Sequence, residues 1–169
     1  MCWRNFSLDR GVQSLISAIM TVMPKILTVK SPAFDMNSTI PAEYTCDGSG
    51  VSPELIIGNI PPHAQSLAII VEDPDAPHGT FDHWLMWNIG TSGKIHEGTA
   101  AGVQGKNGHH RHGYMGPCPP SGVHHYHFKV FALDTRLDLP GGSDKKSLIS
   151  AMQGHIIAQG ELIGLYGKK

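Results

Sequence analysis

Between Val123 and Leu133 the chain alternates in a way that only a strand can use. His124, Tyr126, Phe128, Val130 and Ala132 fall on one face, while His125, His127 and Lys129 begin the other. A period of two sustained over that length predicts a half-buried strand. Other segments agree with a sheet. Leu67-Ala68-Ile69-Ile70-Val71 is apolar without interruption, as a strand covered on both faces must be. His83 to Ile89 carries bulky groups on both faces and is read as a second central strand. Ile26 to Val29 reads as a short strand ended by Pro32, and Ile156 to Tyr166 as a last one.

The segments between these strands are rich in turn formers, with 20 glycines and 12 prolines in 169 residues. Pro41, Cys46 to Gly50 and Ser52-Pro53 mark turns, and Asp138 to Gly142 marks another. Gly90 to Gly122 is a long stretch with little periodicity, of the kind that is functional or disordered in compact domains. Ser143 is the expected cap of a helix through Lys145, Leu148, Ile149, Ala151 and Met152, ending near Gly154. The length suits one domain, and 40% hydrophobic residues suffice for its core. The expectation is one mostly-β domain with a short helix.

Composition removes several function classes. Thirteen Lys and Arg against 14 Asp and Glu leave a formal charge of -1, so there is no basic excess to grip a nucleic acid. No apolar run reaches the roughly 18 residues of a membrane span. Eleven histidines would make the protein strongly cationic on mild acidification. The three cysteines, Cys2, Cys46 and Cys118, form no framework and no CxxC pair, which points to a reducing cytoplasm. The spacing leaves a Cys46–Cys118 bridge open.

The N-terminus differs from the rest. Val12, Leu15, Ile16, Ile19 and Met23 fall at helical spacing. Arg4 and Arg10 give only a weak version of a secretory signal's basic start, Asp9 interrupts it and no A-x-A site follows, so export is the minority reading. Residues 1–23 are therefore read as an extension, either a mis-assigned start or a docked amphipathic helix, and 24–169 as the domain. Deleting residues 1–22 is expected to leave fold and ligand binding intact.

Three segments carry chemistry. Glu72-Asp73-Pro74-Asp75-Ala76-Pro77 is an acidic turn at the end of a buried strand, its prolines holding Asp73 and Ala76 extended. The plain alternative is a surface turn whose Asp side chains bond their own backbone. His83-Trp84 follows closely enough for that turn to fold back, place a carboxylate on the His83 ring and raise its pKa. Gly113 to Gly122 brackets prolines with glycines, giving a stiff loop whose amides can face a ligand. His124 and Tyr126 follow it on one strand face. Two imidazoles, a phenol and loop amides suit a small anion, either a phosphate monoester or a carboxylate.

With these motifs in order, the chain resembles the phosphatidylethanolamine-binding protein family, in its bacterial and archaeal Raf-kinase-inhibitor-like branch. The resemblance runs from about Lys25 to the C-terminus on Asp73-Pro74-Asp75-Ala76-Pro77, His83-Trp84, Gly113 to Gly122 and His124-x-Tyr126. Tyr44 to Gly48, Ser52-Pro53, Phe131 to Asp134 and Gly154-His155 support it. It implies a β-sandwich of two packed antiparallel sheets with a small pocket at one end. It maps ligand binding onto Asp73, Asp75, Pro77, His83, Trp84, Gly116, Cys118, Pro119, His124 and Tyr126. Three positions depart from the family pattern: His125 stands where Arg is usual, Gly90 where Pro is usual, and Gly105 to His112 replaces Asn-Asp-Phe-Gly.

The functional expectation is a non-enzymatic binding protein for phosphate, a phosphorylated headgroup or a carboxylate, with no cofactor and room for a homodimer. Partner regulation is implied only by analogy with relatives, and no target is legible. A hydrolase using Asp73, His83 and His124 as acid–base groups is the alternative, and it lacks an evident nucleophile. A metal site built from His109, His110, His112, His124, His125 and His127 ranks below it, because no metal-ligand spacing is present.

Overall fold

The computed structural model describes residues 25–168, so the stripe from Val12 to Met23 and the boundary at residue 23 lie outside the described residues. The larger sheet has the order β1 (Lys25–Ile26), β10 (Ile156–Gly167), β9 (Val123–Leu133), β5 (Ser66–Asp73), β6 (Phe81–Ile89) and β8 (Val103–Gln104). β3 (Ser38–Thr39) also pairs with β10. The smaller sheet is β2 (Thr28–Lys30), β4 (Leu55–Gly58) and β7 (Lys94–Ile95). The expected two-layer, mostly-β architecture is present, with one departure: β1 and β3 join β10 in parallel.

The sequence pattern explains the layering. All eight residues of β5 are buried, because the strand sits between β9 and β6 and is covered on both faces. Leu67, Ile69 and Val71 pack with Trp84, Met86, Tyr126, Phe128 and Val130 against Leu55, Ile57 and Ile95 of the smaller sheet. Ala68, Ile70, Leu85 and Trp87 face the other way, onto Leu148 and Met152 of α1 (Lys145–Met152). The alternating face of β9 is buried from His124 to Ala132.

Three local expectations change. Ile26 to Val29 is not one strand: Leu27 gives its N–H to the Gln159 carbonyl at 2.9 Å, and the chain then crosses to the smaller sheet. Gly160 permits this approach, since a Cβ there would sit 2.2 Å from the Leu27 oxygen. The cap of α1 is Asp144, whose carboxylate accepts from Ser147 N–H at 2.9 Å, whereas the Ser143 hydroxyl is spent on the Pro140 carbonyl. The stretch from Gly90 to Gly122 holds β7 and β8, and Asn107 orders the rest. Its Oδ1 accepts from the amides of His109 and Arg111, and its Nδ2 donates to the Gly113 carbonyl. Such side-chain-to-backbone bonds leave no periodicity to read.

On the helix side of the large sheet, Glu72 binds Lys129 and Lys145, and Lys145 also binds Asp82. Burial alone would raise the Glu72 carboxyl, but the two ammonium groups outweigh it and hold it below its ordinary value. Among the described residues no helix is long and apolar enough to cross a membrane.

Candidate functional site

The end of β5, the start of β6, the start of β9 and the loop before β9 enclose a cavity of about 390 Å³. Asp73 closes the acidic turn by accepting the Asp75 N–H at 2.8 Å, and its other oxygen accepts from His124 Nδ1 at 2.7 Å. Asp75 accepts both the backbone N–H and Nδ1 of His125, at 2.8 and 2.7 Å, which holds its carboxyl below the usual range. The turn therefore clamps the start of β9. It does not reach His83, which corrects the expectation drawn from their nearness in sequence.

His83 is placed by a bulge. Val71 lies opposite Trp84 and Glu72 opposite Asp82, so His83 has no partner on β5. The extra residue turns His83 to the side of the sheet that Tyr126 occupies, where the two rings meet edge to face at 5.2 Å. His83 Nδ1 donates to the Met115 carbonyl at 2.7 Å, and the His83 carbonyl accepts the Met115 N–H at 2.9 Å. Burial pushes the ring below its ordinary 6.5, against the Met115 carbonyl and the charges of Asp73 and Asp82, which act in the opposite direction. The expected rise is therefore reversed. A neutral ring that donates through Nδ1 keeps a lone pair on Nε2 for the cavity.

Tyr126 stands between the two imidazoles. Its ring lies 6.5 Å from that of His124, nearly parallel at 21°. Its hydroxyl is buried without a hydrogen-bond partner among the described residues. Burial first, then the charge of Asp73 and a contact with its carboxylate that falls short of hydrogen-bond geometry, push the phenol above its usual range, so it remains an O–H donor. An unpaired buried hydroxyl costs about 1–3 kcal/mol, which a ligand oxygen would relieve.

The fourth wall is the loop before β9. Gly116 lies on the 44–45 backbone, where a Cβ would come within 2.8 Å of the Tyr44 oxygen, so only glycine fits. Cys118 is bonded to Cys46, which settles the pairing that the spacing left open. The expectation of a reducing compartment rests on the lack of a disulfide framework and leaves this single bridge open.

Of the ten expected ligand residues, the cavity is lined by Asp73, Pro77, His83, Cys118, Pro119, His124 and Tyr126. Asp75 and Gly116 stand behind the wall as described. Trp84 belongs to the core, where its Nε1–H donates to Gln104 Oε1 at 2.9 Å and its ring meets Tyr114 edge-on. Sequence reasoning missed Phe81, whose ring lies between those of His83 and His109 at 4.9 and 5.2 Å, and the Met115 carbonyl. Phe81 had a signal, an aromatic two positions before a candidate ligand on the same strand. A backbone carbonyl has none.

The histidines weighed as metal ligands turn to different neighbours: His109 to Phe81, His124 to Asp73, His125 to Asp75 and His127 to Glu161. Among the described residues no three His, Cys, Asp or Glu side chains gather as a metal site.

A family model for phosphatidylethanolamine-binding proteins matches residues 30–167. The chain belongs to that family. It is 50% identical over 150 residues to a UPF0098 protein of Pyrococcus horikoshii, covering 82% of this chain and 76% of that one. A UPF0098 protein of Methanothermobacter thermautotrophicus is 43% identical, covering 83% and 98%. Among solved structures, a Chlamydia trachomatis protein described as a homologue of the phosphatidylethanolamine-binding proteins superposes with a TM-score of 0.83 at 40% identity, covering 86% and 99%. Escherichia coli YbcL, described as a new member of the mammalian family, gives 0.78 at 29%, covering 85% and 99%. These relatives place the chain in the bacterial and archaeal branch of the family.

Proposed function

We propose that this member of the phosphatidylethanolamine-binding protein family holds a small anion, a phosphate monoester, phosphorylated headgroup or carboxylate, in the cavity between His83, His124 and Tyr126. Family membership suggests a binding protein, and one observation carries the finer reading. The Tyr126 hydroxyl is fully buried and has no partner among the described residues, and Tyr126 is one of the residues lining the cavity. A hydroxyl held there against its desolvation cost is a donor kept for a ligand acceptor. The imidazoles complete the site. Each offers Nε2, which takes a proton from a hydrogen phosphate or, once protonated, donates to an anion.

Calorimetric titration with phosphate, phosphoethanolamine and acetate tests this reading. Wild type binds at least one of the three, and His83→Ala weakens that binding by about tenfold, the scale of one lost hydrogen bond at ~1.4 kcal/mol. No binding by wild type, or equal binding by the variant, sinks it.

The Asp73–His124 pair also favours a second reading, because a carboxylate on Nδ1 orients an imidazole as a general base. A hydrolase would then need water as its nucleophile, since Cys118 is bound to Cys46. Turnover of an ester and phosphoester panel that disappears in His124→Ala would promote it.

A further inference from the structure

The wall of the cavity that carries Cys118 is tied down by one covalent bond. We propose that the Cys46–Cys118 disulfide is a redox modification site, at which a dithiol reductant converts the pocket from a tight to a loose form. The ligand readout of this proposal rests on the anion reading above, while its structural readout does not.

Both cysteines are exposed, and Cys118 lines the cavity, so the bond is open to a reductant at the cavity wall. Exposed disulfides are the ones that exchange readily. The cross-link joins residues 72 positions apart and ties the loop before β9 to the turn at 46. The noncovalent ties at this junction are few. Cys46 N–H donates to the Pro117 carbonyl at 3.0 Å, the Tyr114 hydroxyl donates to the Tyr44 carbonyl at 2.9 Å, and Gly116 packs on the 44–45 backbone.

The same loop orients His83. Met115 holds that residue by both of its backbone groups, one on the His83 carbonyl and one on Nδ1. Only Gly116 and Pro117 separate Cys118 from Met115, the one packed on the 44–45 backbone and the other fixed in φ, so a shift at the sulfur is passed along the loop rather than absorbed. His124 is anchored differently, by Asp73 just beyond the last pair of β5 and β9, Glu72 with His127. Cleavage of the bond should therefore disturb His83 and spare His124.

The chemistry balances with a dithiol as co-reactant. One thiolate attacks a sulfur of the disulfide, the S–S bond breaks and the other cysteine leaves as a thiolate. The second thiol then resolves the mixed disulfide. Two electrons and two protons end on Cys46 and Cys118 as thiols, and the reductant departs as its own disulfide.

The test compares the oxidised full chain with the same protein in excess dithiothreitol, an uncharged reductant that does not compete for an anion site. Alkylation followed by peptide mass analysis reports Cys46 and Cys118 separately from Cys2. Calorimetry with inorganic phosphate reads affinity, and proton NMR of the imidazoles reads the two histidines. Reduction should weaken phosphate binding by about tenfold, the scale of one oriented contact. It should also shift or broaden the His83 signals while those of His124 stay in place. Cys46→Ser/Cys118→Ser should reproduce the reduced behaviour and ignore the reductant.

Equal phosphate affinities and unchanged His83 signals in fully reduced protein overturn the proposal, and a lowered melting temperature alone marks the bond as a structural staple. A disulfide that resists the reductant in the folded protein overturns it too. If the oxidised protein binds no phosphate but its His83 signals move on reduction, the anion reading fails and the coupling stands.

Discussion

The two imidazoles that face the cavity are held by opposite kinds of partner. His124 donates to a carboxylate, Asp73, from a strand paired directly with the one that carries Asp73. His83 donates to a neutral carbonyl, that of Met115, from a bulge packed against a loop. Both partners fix the tautomer by accepting from Nδ1, but only the carboxylate brings a full negative charge to the bond. The pocket thus combines one ring hydrogen-bonded to a carboxylate with one whose pKa burial lowers. Such a pair can share a proton with its ligand instead of requiring two positive charges in a buried place, which would be costly.

The largest effect should come from removing the carboxylate. Asp73→Asn keeps the shape of the turn but withdraws the charge behind His124. Phosphate affinity should fall by about tenfold to a hundredfold, since hydrogen bonds to charged groups contribute roughly 1.5–3 kcal/mol. Calorimetry decides it, and an unchanged affinity would make the two rings equivalent.

The next effect separates the rings by pH. Sulfate carries no proton at neutral pH, so it needs a protonated imidazole, whereas hydrogen phosphate can donate its own proton to His83 Nε2. Because the free His83 ring titrates below 6.5, it is neutral above that pH, and protonation is favoured only on acidification. Sulfate affinity should therefore drop by up to about tenfold per pH unit above that value, and phosphate affinity by less. Parallel curves for the two anions would refute the division of labour.

A smaller effect, opposite in sign for stability, should follow from Tyr126→Phe. It removes a buried hydroxyl that has no partner in the empty pocket, so the ligand-free melting point should stay level or rise, by at most about 1–3 kcal/mol in stability. Phosphate binding should weaken in the same protein. A loss of stability in the empty form would mean that the hydroxyl has a structural partner and is not reserved for a ligand.

Sequence and structure agree where a single strand carries the information. The face from His124 to Ala132 is legible because strand period and burial coincide along β9, and the apolar run of β5 announces a central strand for the same reason. What failed was pairing across elements. Nearness in sequence assigned the acidic turn to His83, but strand order put it beside His124, and a one-residue bulge that no periodicity reveals re-aimed His83 at Tyr126. Gly116 was legible as important but not for its reason, since a glycine required by a neighbouring backbone looks in sequence like a glycine that cradles an anion. Trp84 was misplaced because adjacency to His83 says nothing about which residues reach the cavity.

The parallel strands on β10 bear on how the protein behaves at high concentration. A twelve-residue outer strand with a bare rim is a template for recruiting further chains edge to edge. Here β1 occupies the rim at Ala158 and Gln159, and β3 occupies it at Gly164 and Leu165. Between them the Leu27 amide covers Gln159 and the Asn37 amide covers Ile163. Among the described residues, what stays open is a short stretch around the charged Glu161. Two pieces of the chain only two residues long each thus interrupt the rim and leave little continuous edge for another chain to add as a strand.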